Sequence, residues 1–534
     1  MAPRPGQAVR VMERLLRLLD HSATVARFAV AVVLTACSLG CGDSDIPPPS
    51  APIPIPFSDP SAFDRGGCAP GSLAGFDPTG IWHYDNVIVD VAAFASVTRF
   101  DQGAGLEAKI FGRPAQVSLT NDDLFTRVEY EARDGDDILF AYDACAVTAE
   151  GALDGKFAYC SGSTCYTGSF HAVRVERIAG EAESSGVELV SEHAGDSPDA
   201  WGDGITVNVR VSDGIAYLAR YGDGLRIVDV VDPASPHDLG GAPVERPDDD
   251  EIYNDVKIVR ADERRYALMA SNWRGIVAYD VTDPTAPVEV SHFPEPPEGK
   301  DRINVHTLFT ETTDAGTLAY LADTSLRGIR IYDVTDPRAP KKLGAYVHPE
   351  SSKNDNAFVH DLYIDQGKAY LCAWDLGLLE VDATDPAQPE LVGSFRDYER
   401  RTNHSTWVTE VGERRIAVTG DEDWGAHVRM IDVGADSEAR FTEIGALSLR
   451  PEVSVHNIMA FGDRGYVAWY QDGFRLLDLS NPTQPTVAAY FNTWDGRRGD
   501  SFFEGAVGID VDLDAGLVYI ADSERGLLVL KLNP

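Results

Sequence analysis

From residue 186 onward the chain is written in short alternating runs. Apolar and polar residues exchange at every position over about six residues, the period that turns one face of a β-strand to a core and the other to solvent. After Gly224 comes LRIVDV, after Gly275 IVAYDV, after Gly328 IRIYDV, after Gly377 LLEVDA, after Ala426 HVRMIDV, after Gly473 FRLLDL and after Gly526 LLVLKL. These anchors stand 51, 53, 49, 49, 47 and 53 residues apart. A unit of that length with four strand-like runs reads as a propeller blade, not as the helix pair of a solenoid.

One unit shows the logic. HDLYID from His360 is its first strand, KAYLCAW from Lys368 its second, the run after Gly377 its third and PELVGSF from Pro389 its fourth. A Pro-punctuated turn separates third from fourth: DPASP at 232, DPTAP at 283, DPRAP at 336, DPAQP at 385 and NPTQP at 481. Asp or Asn before Pro starts a turn by side-chain capping and a fixed φ. The fifth unit departs, with VGADSEAR from Val433 in place of that turn. The last unit stops after three strands, which would leave an open edge. VELVSEH from Val187 resembles the fourth strands VEVSHF at 288 and ELVGSF at 390, so residues 186–194 are expected to complete the seventh blade. The expected fold is all-β: a seven-bladed β-propeller over 186–534, closed by an N-terminal strand.

Upstream, residues 61–180 carry DNVIVDVAAF, TRVEYEA, DILFAYDACAV and GSFHAVRVERI, short β-like runs split by Gly and Asp turns. Cys68, Cys145, Cys160 and Cys165 fall in this stretch. In an exported chain an even cluster reads as two disulfides of unspecified pairing, and the loop-like spacing of Cys160 and Cys165 is looser than zinc pairs use. The expectation is a small, disulfide-stapled all-β domain. Cys372, in an apolar second strand, reads as a buried free thiol.

Export is expected from the N-terminus. Arg4, Arg10, Arg14, Arg17 and Arg27 precede an apolar run from Phe28 to Leu34 that is too short to span a bilayer. The run ends Leu34-Thr35-Ala36-Cys37, which resembles a bacterial lipobox, with Cys41 a poorer match. That resemblance implies a lipoprotein signal peptide over 1–36, lipidation at Cys37 (alternatively Cys41), and a membrane-anchored protein of the cell envelope, at the outer membrane or cell surface. Residues 37–60 include IPPPSAPIPIPFSDP, a Pro-rich linker biased to extended polyproline II.

Composition narrows the partners. A formal net charge of −39 supplies no clustered cations for phosphate, which excludes a nucleic-acid role. There is no HExxH, GxSxG, P-loop or GxGxxG leading into a helix, so the common hydrolase, kinase and dinucleotide readings lose support. Asp510-Val-Asp512-Leu-Asp514-Ala-Gly516 reads as a strand and hairpin turn, since no Glu closes a calcium loop.

LRIVDV at 225–230, the DPxxP turns and the second strands AYLA at 216, AYLA at 319 and AYLC at 369 together resemble the LVIVD-repeat proteins. The resemblance covers about 186–534. It implies a β-propeller on a bacterial or archaeal cell surface and implies no activity.

One constellation carries candidate chemistry. Aligned on their first strands, four consecutive units place His306, His360, His404 and His456 at one repeat position, where the others have Val207, Asn254 and Val507. The first strand of a blade is innermost, so these side chains ring the axis. Such a ring suits a transition metal such as iron, zinc or copper, or it satisfies buried hydrogen bonds between blades. Loops between second and third strands, expected on the same face, carry Tyr221, Trp273, Trp374, Trp424 and Tyr470 among carboxylates that include Asp223, Asp375, Glu422, Asp423 and Asp472. Exposed rings beside acids suit sugars or cationic groups. Two functions follow: a surface-anchored binding or interaction module for a protein, carbohydrate or small-molecule ligand, or a metal-dependent enzyme built on the histidine ring.

Overall fold

The computed structural model describes residues 56–533, apart from 90–91, 133–136, 197–203, 246–250, 297–299, 301, 355, 399, 401, 495, 497–498 and 500. The segment 1–36, Cys37, Cys41 and most of the Pro-rich linker therefore lie outside the described residues. The chain divides into two compact units after Val175.

The first unit is a closed antiparallel barrel of eight strands in chain order: β1 (Gly80–Ile88), β2 (Ala92–Gln102), β3 (Leu106–Ile110), β4 (Arg113–Leu119), β5 (Leu124–Glu131), β6 (Asp137–Val147), β7 (Leu153–Ser161) and β8 (Thr164–Arg174). Pairing of β1 with β8, Tyr84 opposite Ala172, closes it. Eight strands leave an interior that side chains can fill, and here aromatic rings fill it. Tyr84 lies 4.8 Å from Tyr142, Phe94 5.6 Å from Phe157 and Phe140 5.0 Å from Tyr159. Both disulfides expected from the cysteine count form. Cys68–Cys145 ties the segment before β1 to β6, and Cys160–Cys165 joins directly opposed residues of the β7–β8 hairpin. Cys372 is free and buried.

The second unit is a ring of seven antiparallel sheets, six of four strands and one of five. Blades 1 to 6 span 205–242, 253–293, 305–346, 361–395, 403–447 and 458–491. Blade 7 takes three strands from 506–532 and its fourth from Val187–His193, which pairs antiparallel with Gly526–Leu532. The first strands of successive blades touch each other round the ring, the last against the first. They are therefore innermost. Residues 176–185 belong to this unit, which moves the boundary upstream from the expected 180. Ser184–Ser185 adds a fifth strand to blade 6, and Arg475 donates to Glu181 at 2.8 Å. The 510–516 stretch is a strand ending at Asp512 and a hairpin into Leu517.

Apolar faces of neighbouring blades form the cores. Tyr320, Ile329 and Ile331 of blade 3 pack with Leu362, Leu371 and Leu379 of blade 4, and Leu218 and Val228 of blade 1 with Tyr519 and Val529 of blade 7. At the rim, a small residue stands on the outer strand wherever the next blade's DPxxP or NPxxP turn lands. Ser191 Oγ donates to the Pro233 carbonyl and Ser291 Oγ to that of Pro337, each at 2.6 Å. A Cβ at Gly240 would lie 2.7 Å from the Pro284 oxygen. Gly393 instead meets the ring of Phe441, which fills the place of the turn that blade 5 lacks.

Candidate functional site

The first strands carry an irregularity at one repeat position. Their pairing with the second strands shifts register between Thr206 and Asn208, Tyr253 and Asp255, Val305 and Thr307, Asn403 and Ser405, and Ala506 and Gly508. The extra residues are Val207, Asn254, His306, His404 and Val507, the position aligned in sequence. In blades 4 and 6 the paired strands begin just after it, at Asp361 and Ile458. A bulge leaves one residue unpaired and re-aims its side chain. Four of the seven are histidines, and they form a row: ring centroids are 4.1 Å apart for His306 and His360, 4.2 Å for His360 and His404, and 4.3 Å for His404 and His456.

All four imidazoles are buried. Burial disfavours the imidazolium, holding His306 down at about 4 and His456 at about 3. His360 and His404 are pushed well below the ordinary range by burial and by the neighbouring rings. The row is neutral at physiological pH. Asn254 Nδ2 lies 3.0 Å from His306 Nε2, so the fifth member of the ring occupies one end of the row. At the other end His456 Nδ1 lies 2.7 Å from the Val507 carbonyl. A carbonyl can only accept, so Nδ1 carries the proton and Nε2 holds a lone pair. Among the described residues, His360 Nδ1 and both nitrogens of His404 have no hydrogen-bond partner.

A carboxylate completes the group. Glu422, on the blade 5 loop between the strands Arg414–Asp421 and Val428–Asp432, lies with Oε2 3.5 Å from His404 Nε2 and Oε1 3.8 Å from His456 Nε2. Tyr470 donates its hydroxyl to Glu422 Oε1. Burial raises the Glu422 carboxyl to about 8, against the Tyr470 hydrogen bond, which lowers it. Ligand atoms of His360, His404 and Glu422 all lie within 4.8 Å of one another. In the sequence Glu422 is only one of several acids near the aromatic positions. The loop that brings it to the axis belongs to no repeat pattern.

Of the five aromatics expected to face a ligand, two reach the histidines. Trp374 is 5.0 Å from the His360 ring and Tyr470 4.8 Å from that of His456. Tyr221, Trp424 and Tyr470 are buried and Trp273 and Trp374 half-buried, so the expected exposed stacking platform is not what these residues form. The reason lies in the loops, which hydrogen-bond the connections entering the next blade: Ile303 N to the Trp273 carbonyl, Gly425 N to that of Pro451 and Ala506 N to that of Tyr470. The nearby acids are engaged too. Asp223 accepts from Arg220, Asp472 from Arg450 and Asp375 from Asn354.

Along the first strands past the row, the lining changes. Lys257 Nζ donates to Asp255 Oδ1 at 2.7 Å, and Asn208 Nδ2 donates to the same oxygen at 2.7 Å. Burial lowers Lys257 to about 8 and raises Asp361 to about 6. Further on, Phe309, Tyr363 and Trp407 of blades 3, 4 and 5 converge, with Phe309 and Trp407 6.1 Å apart across the intervening blade. The ring therefore encloses successive histidine, ionic and aromatic layers. A second acid and histidine group, His193, Asp196 and Asp238, sits at the rim. There His193 Nε2 lies 3.1 Å from Asp238 Oδ1, linking the closing strand to blade 1.

A family model described as the LVIVD repeat matches residues 203–240, 359–397 and 454–493, in blades 1, 4 and 6. No curated protein matches the chain. Among solved structures, the WD40 β-propeller domain of Doa1 is 11% identical over 65% of this chain and 97% of that one, with a TM-score of 0.44. The computationally designed Ika8 protein is 9% identical over 77% of this chain and 94% of that one, with a TM-score of 0.40. Neither likeness is close enough to carry an argument about this chain.

Proposed function

We propose that this β-propeller, which carries the LVIVD repeat at three places, is an exported, lipid-anchored envelope module whose propeller axis binds a small polar ligand. One observation carries the reading: His360 and His404 are buried on the axis with three ring nitrogens that make no hydrogen bond among the described residues. A buried polar atom left without a partner costs about 1–3 kcal/mol. Several at one point, copied through consecutive blades, are a cost that a bound ligand removes. Burial of Tyr221, Trp424 and Tyr470 favours a ligand inside the ring over a sugar stacked on the surface. The segment ending in Cys37 supplies the anchor and the Pro-rich stretch after it the spacer.

Both halves are testable on the full chain. Cys37→Ala should move the protein from the membrane fraction to the soluble one, and unchanged sedimentation with membranes would count against lipidation there. In detergent, melting curves with Zn²⁺, phosphate, acetate, glucose or spermidine should shift for the wild type with at least one probe and stay put for His404→Ala. Identical responses of the two proteins to every probe would overturn the axial site.

A further inference from the structure

We propose that the axial site is a transition-metal site whose ligands are His360, His404, His456 and Glu422. This deepens the ligand-binding reading above and rests on it. Three arguments converge on a cation of the zinc, iron or copper class.

The first is donor chemistry. Imidazole and carboxylate are the nitrogen and oxygen donors that first-row transition metals take, and His360, His404, His456 and Glu422 bring both kinds together on the axis, all of them buried. The second is geometry. Ligand atoms of His360, His404 and Glu422 lie within 4.8 Å of one another. Donors at ~2.0–2.2 Å from a tetrahedral metal stand roughly 3.3 Å apart, so these three are spaced for one ion, and His456 stands outside the trio as the fourth donor, its Nε2 3.8 Å from Glu422 Oε1. The third is the layer behind the ligands. Metal-bound histidine donates its other ring nitrogen to a fixed acceptor, and the ligating carboxylate is itself hydrogen-bonded. His456 does so through Nδ1 to the Val507 carbonyl at 2.7 Å, which leaves Nε2 facing Glu422, and Tyr470 donates to Glu422 Oε1.

His306 stands outside this set, because Asn254 engages its ring. The site is thus narrower than the four-histidine ring the repeat suggests, and it gains a carboxylate the repeat does not show. Three of its ligands come from one repeat position in consecutive blades and the fourth from the blade 5 loop. Binding would therefore fasten blades 4, 5 and 6 together at the axis.

The experiment is metal uptake by the full chain in detergent, stripped with chelator and then titrated with Zn²⁺ and separately with Co²⁺. The wild type should take up one tightly held equivalent by mass spectrometric metal analysis, and Co²⁺ should give visible ligand-field absorption. His404→Ala and the isosteric Glu422→Gln should each weaken uptake at least about 100-fold. Tyr470→Phe, which keeps every ligand, should weaken it roughly 10–100-fold. His193→Gln, in the rim group, should leave the stoichiometry unchanged. Circular dichroism and melting curves identify variants that fail to fold, and Glu422→Gln keeps the test open if His404→Ala is among them. No stoichiometric uptake of Zn²⁺, Co²⁺, Fe²⁺ or Cu²⁺ by the wild type would overturn the metal site, as would full retention by a folded Glu422→Gln. A wild type that takes up no metal but is stabilised by another probe only while His404 is present would end the metal proposal and keep the ligand-binding one. No response to metal or probe would end both.

Discussion

Glu422 shows how much one residue can hold in tension. Its carboxyl is buried against neutral imidazoles and a tyrosine hydroxyl, and burial keeps the proton on to about pH 8. Unfolded, the same group ionises near 4.5. Between those values the unfolded chain has released a proton the folded chain keeps, so this group's contribution to stability is full below 4.5 and is lost as pH rises through 8. His306 and His456 act in the opposite sense. Their folded values of about 4 and 3 lie below the ordinary 6.5, so their contribution is present above 6.5 and is lost as pH falls through 4 and 3. In the metal-free protein Glu422→Gln, neutral at every pH, should raise stability at pH 8 by on the order of 2–4 kcal/mol and leave it nearly unchanged at pH 4.5. Urea denaturation in chelator at the two values reads this directly, and parallel pH curves for variant and wild type would refute it. The histidines themselves were legible in the sequence because the repeat copies their position. Glu422 was legible only as one acid among several, since a loop's path to the axis leaves no periodic trace.

Among the elements, the outer strand and the DPxxP turn work as a pair. The turn ends a blade's third strand cleanly, but its proline carbonyl also docks on the preceding blade's outer strand, where only a small residue or a serine hydroxyl fits. Gly240 faces the Pro284 carbonyl, so Gly240→Val should cost about 1–3 kcal/mol through forced separation of blades 1 and 2. A melting curve equal to the wild type's would show that the rim contact is slack. Turn and strand were both readable as elements, because Asp-Pro and strict alternation act locally. Their docking was not, because the partners stand in different units. The same limit explains the aromatic loops: their residue types suggested an exposed platform, while Tyr221, Trp424 and Tyr470 are buried, and the Trp424 and Tyr470 loops hydrogen-bond the following connection.

For the propeller as a whole, closure depends on seven residues far from the rest of blade 7 in sequence. Val187–His193 pairs along Gly526–Leu532 and covers what would otherwise be an open edge. Deleting residues 187–193 should lower the propeller's calorimetric transition by many degrees and broaden it, whereas an unchanged transition would mean the ring holds without its closing strand. Blade number, strand order and closure followed from the sequence alone, because strand alternation, turn chemistry and a repeat near fifty residues are local or periodic signals that survive without coordinates. So did the β character of the first unit and its cysteine count, though barrel closure and the pairing Cys68–Cys145 and Cys160–Cys165 needed the fold. Only the tertiary structure decided which histidines meet a carboxylate, which one Asn254 engages, and which aromatics are buried. Those outcomes are set by distances of a few ångströms between residues of different blades, and periodicity along one chain cannot encode the direction in which a loop turns.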